Sequence, residues 1–260
     1  MIYLNIAGFN LKICFHKLEN LPLKNHLINE LNYYYSGFFT HKPLKIDFTI
    51  HFIDNRLIEG MTIPYRNKLY INLYDITAEN EIVTFYTIGI YQFQLLLTRI
   101  ILRLFQKNDG FYLHASAVAI NDHAIVFTGK PGSGKSTAAN LLCQKYHKIA
   151  DDGIFIRKIK GKYFCYSTPI LDADLIGLKK NQKYYLDSVF FLRKAYIFKI
   201  IPIQDKEYII QRILKQLITE RELMKDHSRS VTQFANSFNN FNFLYFAKNQ
   251  KKLVELIKKM

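Results

Sequence analysis

Several features of secreted, zinc-binding and membrane-spanning proteins are missing from this sequence. It contains only three cysteines, Cys14, Cys143 and Cys165, and no CxxC pair. This number and spacing exclude a disulfide framework and a cysteine zinc site, so we expect reduced thiols in a cytoplasmic protein. The first fifteen residues have neither a basic segment nor a continuous apolar stretch, which predicts that no signal peptide is present.

Long apolar runs are also missing. The longest uncharged run, from Ile82 to Thr98, falls short of the roughly 20 residues of a membrane-spanning helix and contains Gln92 and Gln94. We interpret it as a buried helix and expect a soluble chain with no transmembrane segment. Glycine and proline number only 11 and 6, and no repeat or low-complexity linker divides the chain.

The composition is that of a globular chain with excess positive charge. Apolar residues make up 49% of the sequence, which allows a substantial core and excludes intrinsic disorder of the whole chain. The 36 Lys and Arg residues exceed the 21 Asp and Glu residues, giving a net charge of +15. This charge predicts attraction to an anion without choosing among a nucleotide, an acidic peptide, nucleic acid and a membrane surface.

The length fits one elaborated α/β domain or two small domains. Apolar periodicity predicts an α+β N-terminal region over 1–108 and a second region over 109–260, and the absence of a linker near residue 108 predicts that the two pack together. In the first region, the predicted strands are 2–15, 44–53 and 68–74, and the predicted helices are 22–35 and 87–106. In the second, the predicted strands are 117–120, 124–128, 148–150, 154–159, 163–167, 188–192, 197–203 and 241–247. The helices predicted there are 138–146, a long one capped by Asp205 and reaching Ile218, one capped by Ser230, and 250–259.

The most specific motif follows the predicted strand at 124–128. Its residues match GxxxxGK[ST] and are Gly129, Lys130, Pro131, Gly132, Ser133, Gly134, Lys135, Ser136 and Thr137. In such a loop, successive backbone N–H groups and a helix N-terminus converge on phosphate oxygens. We therefore predict a nucleotide-phosphate loop in which Lys135 bridges the β- and γ-phosphates and Ser136 binds Mg²⁺. A glycine-rich structural turn is the alternative interpretation.

Two adjacent carboxylates, Asp151 and Asp152, follow the short predicted strand at 148–150. A carboxylate at the end of a strand beside a phosphate loop is where Mg²⁺ is held. Asp151 comes 16 residues after Lys135, which leaves room for one short helix and one strand, so we expect the two motifs on neighbouring strands. The alternative is an Asp-Asp-Gly turn.

A third candidate is His114, which precedes the strands predicted at 117–120 and 124–128; the residues Asn121-Asp122-His123 between them predict a hairpin. The charge of His114 changes near neutral pH, so it could tune a neighbouring carboxylate by hydrogen bonding. A histidine with a purely structural role is the alternative.

These segments, read in order, resemble a known family. Residues 114–120, 126–129, 132–137 and 150–152 are similar to the HPr serine kinase/phosphorylase family and its shorter relatives, such as the kinases of lasso-peptide gene clusters. A more distant resemblance is to ATP-dependent phosphoenolpyruvate carboxykinase. The resemblance is specific over about 114–157 and weaker over 163–225. It implies an α/β (α+β) fold whose P-loop core contains a mixed sheet.

The resemblance also implies an ATP- and Mg²⁺-dependent kinase that phosphorylates a hydroxyl. In that family, the histidine aligned with His114 and one Asp of the pair handle the proton of the substrate hydroxyl. Carried over to this sequence, Asp151 is the base, His114 tunes it, and Asp152 holds Mg²⁺ or the γ-phosphate. The reverse assignment of the two Asp roles stays open. The expected acceptor is a Ser or Thr hydroxyl of a peptide or small protein, an acidic one given the net charge.

Several alternatives stay open at this level. The acceptor could instead be a small molecule or an RNA hydroxyl, or the chain could be a non-catalytic nucleotide-binding regulator. No segment matches the acidic-Ile-Arg-Gly signature of the HPr-directed enzymes, so HPr itself is not the expected acceptor. Those enzymes are oligomers, which leaves a homo-oligomer open. The further basic candidates for the site, each with a solvated surface role as the alternative, are Lys130, Arg157, Lys158 and Arg193.

Overall fold

The computed structural model describes residues 1–16, 21–53, 80–86, 88–169 and 181–259. The chain divides into two compact units. The first comprises Met1–Leu104 and Pro169–Asn181, and the second comprises Phe105–Thr168 and Gln182–Met260. The strand predicted at 68–74 lies outside the described residues.

The first unit contains a four-stranded sheet. Its strands are β1 (Ile2–Ile6), β2 (Phe9–Phe15), β3 (Phe48–Ile53) and β4 (Glu81–Phe85), in the order β1-β2-β3-β4. The first pair is antiparallel and the other two are parallel. Ala7 and Gly8 both have positive φ, which is the geometry of a tight two-residue hairpin turn. The helices of this part of the chain are α1 (Leu21–Tyr35) and α2 (Ile90–Gln106).

The sequence predicts one helix for the uncharged run from Ile82 to Thr98, and this prediction is wrong. The beginning of the run forms most of β4 and its end forms the first half of α2. The β-branched residues at 82–84 favour a strand. The helix begins only after Gly89, whose carbonyl accepts the first helical hydrogen bond, from Phe93 N.

A ten-stranded mixed sheet dominates the second unit, which confirms the predicted fold class. Its strands are β5 (Gly110–Leu113), β6 (Ser116–Ile120), β7 (His123–Thr128), β8 (His147–Ala150), β9 (Ile154–Ile159), β10 (Lys162–Tyr166), β11 (Lys183–Lys194), β12 (Lys199–Pro202), β13 (Leu217–Ile218) and β14 (Phe241–Phe246). The main order is β13-β5-β9-β10-β11-β7-β6-β8, and β14 pairs with both β11 and β12. The β11 strand is parallel to β7 and to β14.

Helices cover both faces of this sheet. They are α3 (Lys135–Cys143), α4 (Lys206–Leu214), α5 (Met224–Ser237) and α6 (Gln250–Lys258). Because strand side chains alternate, Val126 packs in the core with α4 and α5, whereas its neighbour Phe127 packs in the core with α3 and α6. Phe191 and Phe190 of β11 divide between the two cores in the same way.

Two helix predictions in this unit need correction. Asp205 does cap α4 and accepts a hydrogen bond from Tyr208 N at 3.0 Å, but the helix ends at Leu214, and residues 217–218 form β13 against β5. Ser230 lies inside α5 rather than at its N-cap. The buried stripe of α5 already includes His227, one turn before Val231, so the helix begins earlier.

None of the helices in the described ranges combines the length and apolar character needed to cross a bilayer.

Candidate functional site

The GxxxxGK[ST] loop connects β7 to α3, the strand–loop–helix position that the sequence predicts. Gly132 and Gly134 have φ values of 74° and 98°, a left-handed conformation that glycine adopts without strain. Gly134 immediately precedes α3 and lies so close to the end of β14 that an added Cβ would lie 3.1 Å from the ring of Phe246. The loop therefore depends on glycine both for its curvature and for its packing.

Lys135 is the first residue of α3, and only 8% of it is exposed. Its Nζ donates a hydrogen bond to Gly129 O at 3.2 Å, so the side chain folds back over the loop. Burial lowers the pKa of this ammonium group, and the nearby Asp152 carboxylate opposes that change. Ser136 and Thr137 follow in the first turn of α3 and are half-buried, whereas Lys130 and Pro131 at the start of the loop are exposed.

Two buried hydroxyl oxygens at the loop have no hydrogen-bond partner among the described residues. They are Thr128 Oγ1 at the end of β7 and Ser133 Oγ. The Ser133 hydroxyl lies over Gly129, where an added Cβ would come within 2.9 Å of it. Buried polar atoms in folded proteins are nearly always hydrogen-bonded. The two hydroxyl groups therefore fit a site that binds a polar ligand, such as a phosphate oxygen.

The histidine and the two carboxylates lie at an interruption in a long antiparallel ribbon. Its two strands are residues 110–120 and 147–159, which pair as β5 with β9 and then as β6 with β8. Pairing stops after Leu113 with Ile154 and resumes at Ala117 with Ala150. The residues between these two pairs, which include His114, Asp151 and Asp152, do not pair with each other across the ribbon.

Strand alternation explains the direction of His114. The side chains of residues 111, 113, 115, 117 and 119 all enter the core with α4 and α5. His114 therefore faces the opposite side, on which Val118 packs with α3. His114 Nε2 lies 3.9 Å from Asp152 Oδ1. Burial and the Lys135 charge lower the pKa of His114, and Asp152 acts in the opposite direction.

The two carboxylates have different environments. Asp151 is buried, and its Oδ2 lies 3.1 Å from Lys148 Nζ, which also donates to Asn140 Oδ1 at 2.9 Å. Ser116 Oγ donates to the Asp151 carbonyl and lies 3.4 Å from its carboxylate. The side chain of Asp152 is 82% exposed. The structure thus brings Asp152, His114 and Lys135 into mutual electrostatic contact, and it holds Asp151 in an ion pair.

The sequence predicts that the two motifs lie on neighbouring strands, and this prediction is wrong. The β6 strand lies between β7 and β8 and is antiparallel to both. β6 and β7 form a hairpin, so on this side of the sheet the neighbour of β7 is β6 rather than β8. The carboxyl ends of β7 and β8 still point in the same direction.

Three of the other basic candidates have contacts that explain them within the fold. Arg193 donates a hydrogen bond to Tyr208 Oη at 2.7 Å and stacks on the ring of Phe243, among residues that pack on the α4 and α5 side. Lys158 lies over the ring of Tyr163. Arg157 interacts electrostatically with Tyr166 of the adjacent strand.

The residues at this site fit a magnesium ion that accompanies a nucleotide. In the described ranges, no three His, Cys, Asp or Glu side chains gather to form a metal cage. Mg²⁺ in nucleotide sites does not need one, because it keeps several waters and binds one or two carboxylates and the phosphates. Ser136 in the first turn of α3 and the exposed carboxylate of Asp152 supply ligands of this kind.

Sequence reasoning missed the residues that hold Asp151, namely Lys148 and Ser116. Lys148 lies three residues before Asp151, in the strand predicted at 148–150. Strand alternation alone does not indicate that its side chain contacts Asp151. A signal was present for Ser116, because it is the only hydroxyl among the small apolar residues of 115–119.

Comparisons with known proteins give one family match and a distant similarity to a solved structure. The model of the family described as SynChlorMet cassette protein ScmC matches residues 84–249. A solved structure of the HPr(Ser) kinase/phosphatase from Coxiella burnetii is similar at 14% identity, over 57% of this chain and 94% of that chain, with a TM-score of 0.34. No curated protein matches the chain.

Proposed function

This chain belongs to the family of the SynChlorMet cassette protein ScmC, and we propose that it is a cytoplasmic kinase that transfers the γ-phosphoryl group of ATP to a hydroxyl. The proposal rests on one observation. The Asp152 carboxylate lies 3.9 Å from His114 Nε2 and also acts on the pKa of the loop lysine Lys135, so a carboxylate–histidine pair lies beside the cation of the loop.

ATP binding falls to the loop between β7 and α3. The backbone N–H groups of residues 129–137 would surround the phosphates, and Lys135 would leave Gly129 O to contact the β- and γ-phosphates. The free hydroxyl of Ser133 would donate a hydrogen bond to a phosphate oxygen. Ser136 would hold Mg²⁺, which, when bound, neutralises the charge of the phosphate oxygens.

For the reacting end of the nucleotide, we favour Asp152 over Asp151, the residue to which the family resemblance assigns the role of base. Asp151 is already engaged by Lys148 and shielded from an incoming acceptor. Asp152 is exposed and adjacent to His114, so it is accessible to the proton of a hydroxyl acceptor or to Mg²⁺. His114 would orient this carboxylate, because its ring nitrogen faces Asp152 Oδ1.

The proposed acceptor is a Ser or Thr hydroxyl of a peptide or small protein. The net charge of +15 favours an acidic one, because opposite charge raises the rate of encounter. Little covalent chemistry is then required of the protein, since phosphoryl transfer depends mainly on positioning and charge neutralisation.

The test is incubation of the protein with γ-labelled ATP, Mg²⁺ and a lysate of the source cell. Label is followed in separate protein, peptide, RNA and small-molecule fractions. We expect labelled peptide or protein with the wild type, and a loss of about 100-fold or more in the rate with Asp152→Asn, as for removal of a general base. Lys135→Ala should lose ATP binding itself.

Matched controls are Lys225→Ala and Asp109→Asn. Lys225 is exposed on α5, and Asp109 lies in a turn at φ 45°, a conformation that Asn also adopts. Both should keep the wild-type rate. Full activity of Asp152→Asn together with an inactive Asp151→Asn would restore the original assignment of the two carboxylates. Label in the RNA or small-molecule fraction would change the acceptor class, and tight ATP binding without any transfer would indicate a regulatory module.

A further inference from the structure

A cavity of about 420 Å³ opens beside the start of α3 in the second unit. Three segments line it: Gly134 and Thr137 of the loop and helix, residues 194–196 at the end of β11, and residues 246–248 at the end of β14. Its volume is within the range of about 300–1,000 Å³ that is typical of small-molecule sites. The phosphate-loop motif does not include the two strand ends that form it.

The lining combines aromatic surface with positive charge. Phe246 is only 3% exposed and packs against Gly134. Tyr196, in the connection between β11 and β12, is completely exposed. The exposed Lys194 and Lys248 complete the wall. A flat apolar group that carries a negatively charged chain matches this combination.

The cavity lies away from the reacting end of the site. None of His114, Asp151 and Asp152 lines it. In a P-loop, the lysine reaches the β- and γ-phosphates and the backbone surrounds the α- and β-phosphates. A nucleotide whose γ-phosphate lies at Lys135 therefore has its nucleoside beyond the α-phosphate, away from the reacting end. Gly134 and Thr137 belong to the motif and also line the cavity, so the cavity adjoins the phosphate site.

We propose that this cavity binds the nucleoside of the triphosphate, with Tyr196 stacking on the base. The inference rests on the proposed nucleotide function and adds a site that the loop motif does not contain. Exposed aromatic side chains bind bases through their π-faces, whichever base is present. Lys194 and Lys248 contribute positive charge on the side of the α-phosphate.

The test separates the base from the phosphates. Isothermal titration calorimetry gives the dissociation constants of ATP and of inorganic tripolyphosphate for the wild type, Tyr196→Ala and Tyr196→Phe. Loss of one stacked base corresponds to a weakening of about 5- to 150-fold. We expect Tyr196→Ala to weaken ATP binding by about tenfold and to leave tripolyphosphate unchanged, and Tyr196→Phe to bind both like the wild type. Tyr91→Ala is the matched control, because Tyr91 is 72% exposed on α2 and does not line the cavity.

Other outcomes overturn the inference in distinguishable ways. If Tyr196→Ala binds ATP as well as the wild type does, while Lys135→Ala loses both ligands, the base lies elsewhere and the nucleotide function stands. If Tyr196→Ala weakens both ligands equally, the tyrosine supports the loop and does not contact the base. If the wild type binds neither ligand, the nucleotide function fails together with the nucleoside site.

Discussion

The ion pair between Lys148 and Asp151 provides the sharpest test of how the two carboxylates differ. Its atoms are 3.1 Å apart, and only 8% and 11% of the respective side chains are exposed. Removing one partner of a buried pair costs about 3–5 kcal/mol, because the other charge stays buried without compensation. Lys148→Met should therefore lower the free energy of unfolding by about 3 kcal/mol.

Urea denaturation followed by circular dichroism measures this loss. The double variant Lys148→Met/Asp151→Asn should recover most of it, since no charge is then left buried. Asp151→Asn alone should cost less than Lys148→Met, because Lys148 keeps its hydrogen bond to Asn140. A loss below about 1 kcal/mol for Lys148→Met, as for exposed pairs, would refute the reasoning. The ion pair would then not be a reason to favour Asp152 over Asp151.

Three further predictions follow from single residues. Asp152→Asn should lower the pKa of His114 further in an NMR titration, because the carboxylate opposes the effects of burial and Lys135. A lowered histidine pKa costs stability when the pH falls below the ordinary histidine pKa, so this variant should also lose more stability in acid than the wild type does. An unchanged His114 titration would contradict the contact between the two side chains. Gly153→Ala should destabilise the fold by about 1–3 kcal/mol in urea, because its Cβ would meet the Tyr112 ring, and Gly153→Ala/Tyr112→Leu should recover part of the loss. Asp205→Ala should cost about 1 kcal/mol in thermal unfolding through loss of the α4 cap, whereas equal costs for Asp205→Ala and Asp205→Asn would argue against capping.

Local signals predicted most of the second unit correctly. The turns Asn121-Asp122 and Lys160-Gly161 form hairpins, as the flanking apolar runs indicated, and Asn121, Lys160 and Gly161 have the positive φ that such turns require. The loop motif also lies where its strand–loop–helix context places it. These features are encoded within about ten residues of each other, so no tertiary information is needed to find them.

The errors arose where tertiary contacts decide the structure. Apolar spacing continued the helix after Asp205 to Ile218, but Leu217 and Ile218 pair with β5, a partner about one hundred residues earlier in the chain. The burial of Asp151 likewise depends on its place at the interruption of the ribbon, where Ser116 of the other strand donates a hydrogen bond to it. Sequence spacing placed the two Asp residues together, and only the fold distinguished them.

The ribbon of residues 110–120 also restricts where the chain tolerates a change of length. Its odd-numbered side chains keep one face from Phe111 to Ala119, straight through the interruption at His114. A single residue inserted there would exchange the two faces of everything that follows, so that Val118 would turn towards α5 and the alanines towards α3. Insertions in the exposed turn at 121–122 would not shift the strand before it. Homologues should therefore vary in length at that turn and keep the spacing between Leu113 and Ser116.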